Sequence, residues 1–156
     1  MTAPADPARV LFATVFLLAQ SWKNLLDDEL APAGLSAKQW MLLVAIETFG
    51  DEAPTLNQAA ERYGATRQAT KQLAVRLERG GFVRIESDPD DGRTLRLNLT
   101  ARHREFWDAR AQRHLEGLTA LFSEVDDGSL SGAAETLTVL LASSRDAERT
   151  GLFGDR

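Results

Sequence analysis

No cysteine occurs in the 156 residues, which removes disulfides, thiolate metal ligands and thiol redox sensing. Histidine is scarce as well. His103 and His114 fit neither an HxxE nor an HxxxH spacing, so no metal site is expected. There is no nucleophile elbow, phosphate-cradling glycine loop or paired acidic signature, so an enzymatic activity has no residues to rest on and no cofactor is expected. Long hydrophobic runs are missing too. The most apolar stretch, Val10 to Ala19, is too short to cross a bilayer as a helix. Asp6 and Arg9 stand ahead of it, and apolar spacing continues through Trp22, Leu25, Leu26 and Leu30. It therefore reads as an amphipathic helix of a cytoplasmic protein with no membrane partner, rather than as a secretory signal.

Hydrophobic residues at 44% and charged residues at 26% are ordinary for a globular chain, and the length suits a single domain over 1–156. The net charge of −5 seems at first to argue against a nucleic-acid partner, but it hides an uneven distribution. Residues 55–104 hold ten Arg or Lys and six Asp or Glu, net +4, which leaves the remainder at −9. A basic middle between acidic flanks suits a protein that presents one region to phosphates.

Pro7 to about Ala31 reads as one helix, apolar on more than one face, and Pro32-Ala33-Gly34 ends it. A helix apolar nearly all round needs cover nearly all round, which a second subunit would supply. Ser36-Ala37-Lys38-Gln39 has capping-box form and opens a second helix closing near Gly50. Thr55-Leu56-Asn57-Gln58 opens a brief helix ending at Tyr63-Gly64, and Thr66 caps a fourth reaching Gly80-Gly81. Two short helices joined by a glycine-containing turn form a helix-turn-helix. Phe82 to Glu86 and Thr94 to Leu99 are strand-like, the second with Leu95, Leu97 and Leu99 inward and Thr94, Arg96 and Asn98 outward. The turn formers between them make a hairpin wing. Thr100 is expected to cap one long helix to about Glu124, Asp126-Asp127-Gly128 to break it, and Ser129 to cap a last helix. The expected fold is mainly α with a small β-hairpin wing. A winged helix-turn-helix lobe over 35–100 is flanked by dimerisation helices over 7–31 and 101–149.

On the helix from Thr66, Thr70, Leu73 and Leu77 fall together with Ala69 and Ala74 beside them, the face expected to pack inward. Gln68, Lys71, Gln72, Val75 and Arg79 lie opposite, with Arg67 and Arg76 on the shoulders. Amides and cations at the N-terminal end of such a helix can read base edges in a major groove. A solvated surface face would look much the same. In the wing, Arg93 is placed to enter a minor groove or grip phosphate. Asp88, Asp90 and Asp91 would repel phosphate there, and Asp91 is expected to brace the Arg93 side chain by a charge-assisted hydrogen bond.

The run Asp91-Gly92-Arg93-Thr94-Leu95-Arg96-Leu97-Asn98-Leu99-Thr100 resembles the wing signature of MarR-type winged-helix regulators. Arg76-Leu77-Glu78-Arg79-Gly80-Gly81-Phe82-Val83 is similar to that family's junction of recognition helix and wing, and Leu35 to Trp40 to its second-helix opening. Thr70 departs from the aliphatic residue usual at its position. The resemblance implies a homodimer joined through its first and last helices, a pseudo-palindromic operator in double-stranded DNA, and a small-molecule effector pocket between the dimer helices and the lobes. It places Thr66, Arg67, Gln68, Lys71 and Gln72 on base or phosphate contacts and Arg93 at the wing arginine. Ser36 and Lys38 become phosphate contacts at a helix N-terminus. Trp22, Trp40, Phe106 and Trp107 become candidates for an effector pocket, though such residues are more often simply core. The expected function is a ligand-responsive repressor. The alternative is a dimeric small-molecule-binding or protein-interaction module that has lost DNA binding, as the acidic wing and net charge would suggest.

Overall fold

The computed structural model describes residues 6–150, apart from the side chains of residues 148 and 149; the two chain ends beyond them lie outside the described residues. Seven α-helices and one hairpin follow in the order α1 (Pro7–Leu30), α2 (Ala37–Glu47), α3 (Leu56–Tyr63), α4 (Arg67–Arg79), β1 (Val83–Ser87), β2 (Leu95–Leu99), α5 (Ala101–Asp108), α6 (Ala111–Leu121) and α7 (Asp127–Thr150). The chain divides into two compact units, one ending at Arg104 and the other beginning at Glu105.

In the first unit, α2, α3 and α4 pack on one another and on the hairpin. Their apolar faces supply Leu42, Leu43, Leu56, Ala59, Ala74 and Leu77, and the hairpin adds Phe82, Val83 and Leu97. Capping sets where these short helices begin. Ser36 and Gln39 close a reciprocal capping box on α2, and Thr55 and Gln58 close another on α3. Thr66 Oγ accepts from the Ala69 amide at the start of α4. Between α3 and α4 the chain reverses at Gly64, whose φ of 76° no β-carbon-bearing residue adopts freely. The Gly64 and Ala65 amides both donate to the Ala60 carbonyl, at 2.9 and 3.1 Å, and so satisfy the last turn of α3.

The hairpin pairs Val83 with Leu99 and Ser87 with Leu95 in antiparallel register. Only Leu97 of the three alternating leucines is fully buried; Leu95 and Leu99 stay half-exposed because the sheet has just two strands. Both outer edges are nonetheless tied down. Ile85 N donates to Glu78 of α4 at 2.9 Å, and Leu97 N donates to the Pro54 carbonyl at 2.9 Å. Thr100 Oγ1 donates to the Gly81 carbonyl at 2.7 Å and accepts from His103 N. It thereby joins the root of the wing to the end of α4 as well as capping α5.

The helix expected to run unbroken from Thr100 to Glu124 is two helices, α5 and α6, with a turn at Ala109–Arg110. Arg110 takes φ −112°, its amide donates to Trp107 O rather than continuing the α ladder, and its guanidinium lies 4.1 Å from the Phe106 ring centroid. No proline or glycine marks the break, so the periodic pattern runs through it. The start of α7 is also corrected: Asp126, not Ser129, is the cap. Its carboxylate accepts from Ser129 N at 3.0 Å and from the Ser129 hydroxyl at 2.6 Å. Those bonds hold its carboxyl below the usual carboxylate range, the serine hydroxyl first.

Candidate nucleic-acid interface

The outward face of α4 carries the residues that the sequence pattern selects. Thr66, Arg67, Gln68, Lys71, Gln72, Arg76 and Arg79 are all exposed, while Thr70, Ala74 and Leu77 are buried. Ala69, expected to face inward, is exposed instead, and Val75 is half-buried. The expected departure at Thr70 has a physical counterpart. Its hydroxyl is fully buried and has no hydrogen-bond partner, where an aliphatic side chain would leave nothing unsatisfied. The cations of α4 point outward and its own N-terminal amides add partial positive charge at the same end.

Arg93 is exposed at the tip of the wing. Asp91 does not brace its side chain. Asp91 Oδ1 accepts from the Arg93 backbone amide at 3.0 Å, and Oδ2 from the Thr94 hydroxyl at 2.8 Å. A carboxylate two residues ahead of an amide closes a local turn on the backbone before it can reach along a long side chain. Of the three aspartates of the wing loop, Asp88 holds an arginine, pairing with Nε of Arg96. Arg96, expected to point outward, is turned back against the lobe, and its Nη1 donates to the Ala53 carbonyl at 2.7 Å. Backbone amides of the loop, with Arg96 behind them, hold the Asp88 carboxyl below the usual range.

Ser36 and Lys38 fare differently from α4. The Ser36 hydroxyl is engaged with Gln39 within the capping box, and the Ala37 amide donates to Asp27 Oδ1 of α1 at 2.6 Å. A carboxylate of the chain therefore already sits at the start of α2 where an anion would bind, and that amide with Lys23 holds the Asp27 carboxyl below the usual range. Lys38 remains exposed. Among the other cations of the basic segment, Arg62 stacks on Phe49 and Arg102 on Phe82, at 5.3 and 5.2 Å from the ring centroids, and Arg84 pairs with Glu86 at 2.8 Å. The segment's net charge is thus partly structural.

Of the aromatic residues considered for a pocket, Trp22 and Trp40 are half-buried in the first unit. Trp107 belongs to the second, edge-on to Phe106 and near His114 with centroids 5.0 and 6.3 Å away. No local pattern signals the place of His103. It is buried with Nε2 3.3 Å from Glu47 Oε1, linking α5 to the end of α2. Burial pushes the imidazole below its ordinary range, helped by Arg104, and pushes the Glu47 carboxyl up. No group of side chains able to hold a metal ion occurs among the described residues, and no described helix is long and apolar enough to cross a membrane.

Residues 33–94 match the sequence model of the MarR family, which spans α2 through the wing loop. The winged lobe is thus similar in sequence to the MarR family. The whole described chain has the fold of MarR-family transcriptional regulators. A MarR protein from Peptoclostridium difficile superposes with a TM-score of 0.78 at 15% identity, covering 94% of both chains. AbsC, a MarR family transcriptional regulator from Streptomyces coelicolor, gives 0.77 at 18% identity over 94% of this chain and 99% of its own. A second MarR family regulator from that organism, solved in complex with DNA, gives 0.77 at 22% identity over 92% of each chain. In sequence, an uncharacterised protein of Mycobacterium tuberculosis is 29% identical over 145 residues, covering 93% of this chain and 99% of its own.

Proposed function

We propose that the protein is a sequence-specific DNA-binding regulator, acting as a homodimer on a pseudo-palindromic operator. The observation that carries this reading is the exposed polar end of α4, with Gln68, Lys71 and Gln72 outward, on the same tied-down lobe as the exposed Arg93 of the wing. Glutamine can pair bidentately with adenine and Lys with guanine in the major groove. Arg67, Thr66 and Arg93 then supply grip on the backbone and minor groove rather than choice of sequence. That a MarR family regulator of the same fold was solved in complex with DNA supports the assignment.

The homodimer rests on exposed apolar surface. Val10, Phe12, Phe16, Leu17 and Leu25 of α1, and Leu137, Val139, Leu140 and Leu141 of α7, stand open to solvent, far more than single scattered leucines would. A second copy of the chain covers both stripes and sets two reading heads one helical turn apart. Repression follows when the dimer overlaps a promoter. A small-molecule effector seated near Trp22, Trp40 or Trp107 would release DNA by changing the spacing of the heads.

A gel shift with the DNA immediately upstream of the protein's own coding sequence tests this reading. The expected result is a dimer-sized complex that weakens steeply as salt rises. A protein that dimerises but gives no salt-sensitive shift is instead the interaction module that the acidic net charge would suit.

A further inference from the structure

By strand alternation Arg96 belongs on the outer face of the wing, yet its side chain is only 30% exposed. The guanidinium bridges two segments far apart in sequence: Nε donates to the Asp88 carboxylate, and Nη1 to the Ala53 carbonyl in the connection before α3. Asp88 in turn closes the loop that carries Arg93. Its Oδ1 accepts from the amides of Asp90 and Asp91 at 2.8 and 3.1 Å, and its own amide donates to the Thr94 carbonyl at 2.8 Å. Beside this, Leu97 N donates to Pro54 O and Thr55 bridges Arg96, so backbone and side chain fasten the same edge.

We propose that Arg96 and Asp88 form a latch holding the Arg93 tip in register with the helix-turn-helix, which makes Arg96 a positioning residue for DNA binding and not a phosphate contact. The inference rests on the DNA-binding reading above. A wing tip fastened at its root loses its freedom during folding, so less ordering remains to oppose binding. The latch also answers the charge problem of the loop, because the carboxylate nearest the strands is matched by an arginine that phosphate therefore does not need to neutralise. Asp90 and Asp91 remain exposed, which leaves Arg93 as the cation that the tip presents.

A double-mutant cycle reads this directly, with Arg93→Ala, Arg96→Met and the pair, each as the full dimeric chain titrated at several salt concentrations against the DNA upstream of its own coding sequence. Methionine keeps much of the apolar stem of Arg96 while removing the guanidinium. Because the dimer presents two wings, Arg93→Ala is expected to weaken binding about 10-fold and to lower the salt slope by about two. Arg96→Met is expected to reproduce most of that loss, and the pair to add little to it. Multiplying losses, with the slope of the pair down by about four, would mean that Arg96 meets phosphate itself and would overturn the latch. Asp88→Asn, which keeps the shape of the loop, is expected to act in the same non-additive way. Hydrogen exchange on the free protein supplies the DNA-independent arm. Arg96→Met should strip protection from the Asp90 and Asp91 amides and leave α2 and α3 protected, and unchanged protection overturns the latch. Lost protection in a protein whose wild type shows no salt-sensitive shift overturns the DNA-binding reading, and with it the positioning role, while leaving the contact itself in place.

Discussion

The winged lobe and the helices that flank it treat the same residue types in opposite ways. Leu42, Leu43, Leu77 and Phe82 of the lobe are at most 1% exposed, whereas Phe16, Leu17 and Val139 of α1 and α7 are 63%, 74% and 64% exposed. The lobe closes its own core with three short helices and a hairpin, and the polar face of α4 stays exposed. The long helices carry apolar stripes that the chain does not cover. On the proposed function, base contacts belong to one region and pairing to the other, and substitutions of one chemical kind should have different consequences in each.

The largest effect is expected from truncating the lobe core. Phe82→Ala should lower the unfolding free energy by about 3–5 kcal/mol, measured by urea denaturation at fixed protein concentration. A loss under about 1 kcal/mol would show that the lobe is less closed than its burial implies. Charging the flanks should spare the lobe and break the pair instead. Phe16→Asp with Leu141→Asp is expected to give a monomer in sedimentation and to weaken binding to upstream DNA by about 100-fold, because the second head no longer binds at high effective concentration. A monomer that binds as well as the wild type would end the argument for paired heads.

Smaller effects sharpen the division within the lobe itself. Gln72→Ala should reduce discrimination between the protein's upstream DNA and sheared genomic DNA by about 10-fold while leaving the salt slope unchanged, as competition binding would measure. Thr70→Val, which removes the unpartnered buried hydroxyl, should raise stability by about 1 kcal/mol in the same urea assay. The smallest expected effect is on pH dependence. Burial and Arg104 hold the His103 imidazole below its ordinary range, so the folded lobe favours its neutral form. Its contribution is complete above the unfolded value of about 6.5 and is lost as pH falls from there toward the lower folded value. Glu47, whose carboxyl burial pushes up, works in the opposite sense, starting from the lower carboxylate range. Stability measured between neutral and mildly acidic pH should therefore decline in the wild type and flatten in His103→Gln.

Much of this was legible in sequence because it depends on local rules. Capping boxes at Ser36 and Thr55, the glycine at position 64 and the strand pattern from Thr94 to Leu99 each act within a few residues, and the structure has the two helix starts, the turn and the strand there, with only Leu97 of the strand fully buried. What escaped depended on tertiary partners. Alternation assigns Arg96 to the outside, but a carbonyl 43 residues away and a carboxylate across the hairpin draw it back. Ser36 looked open to phosphate until α1 brought Asp27 to the same helix end. Asp91 binds the backbone of Arg93 and not its side chain, since backbone closure at i+2 competes successfully with a reach along an arginine. The break at Arg110 left no trace because a φ change at an ordinary residue changes neither composition nor period.

Whether two winged lobes of one dimer read a pseudo-palindrome is visible in hydroxyl-radical footprinting on the upstream DNA. Two protected patches are expected on one face of the duplex, their centres about 10 base pairs apart, which fade together as salt rises. A single patch, or no protection at concentrations where the protein is a dimer, would contradict it.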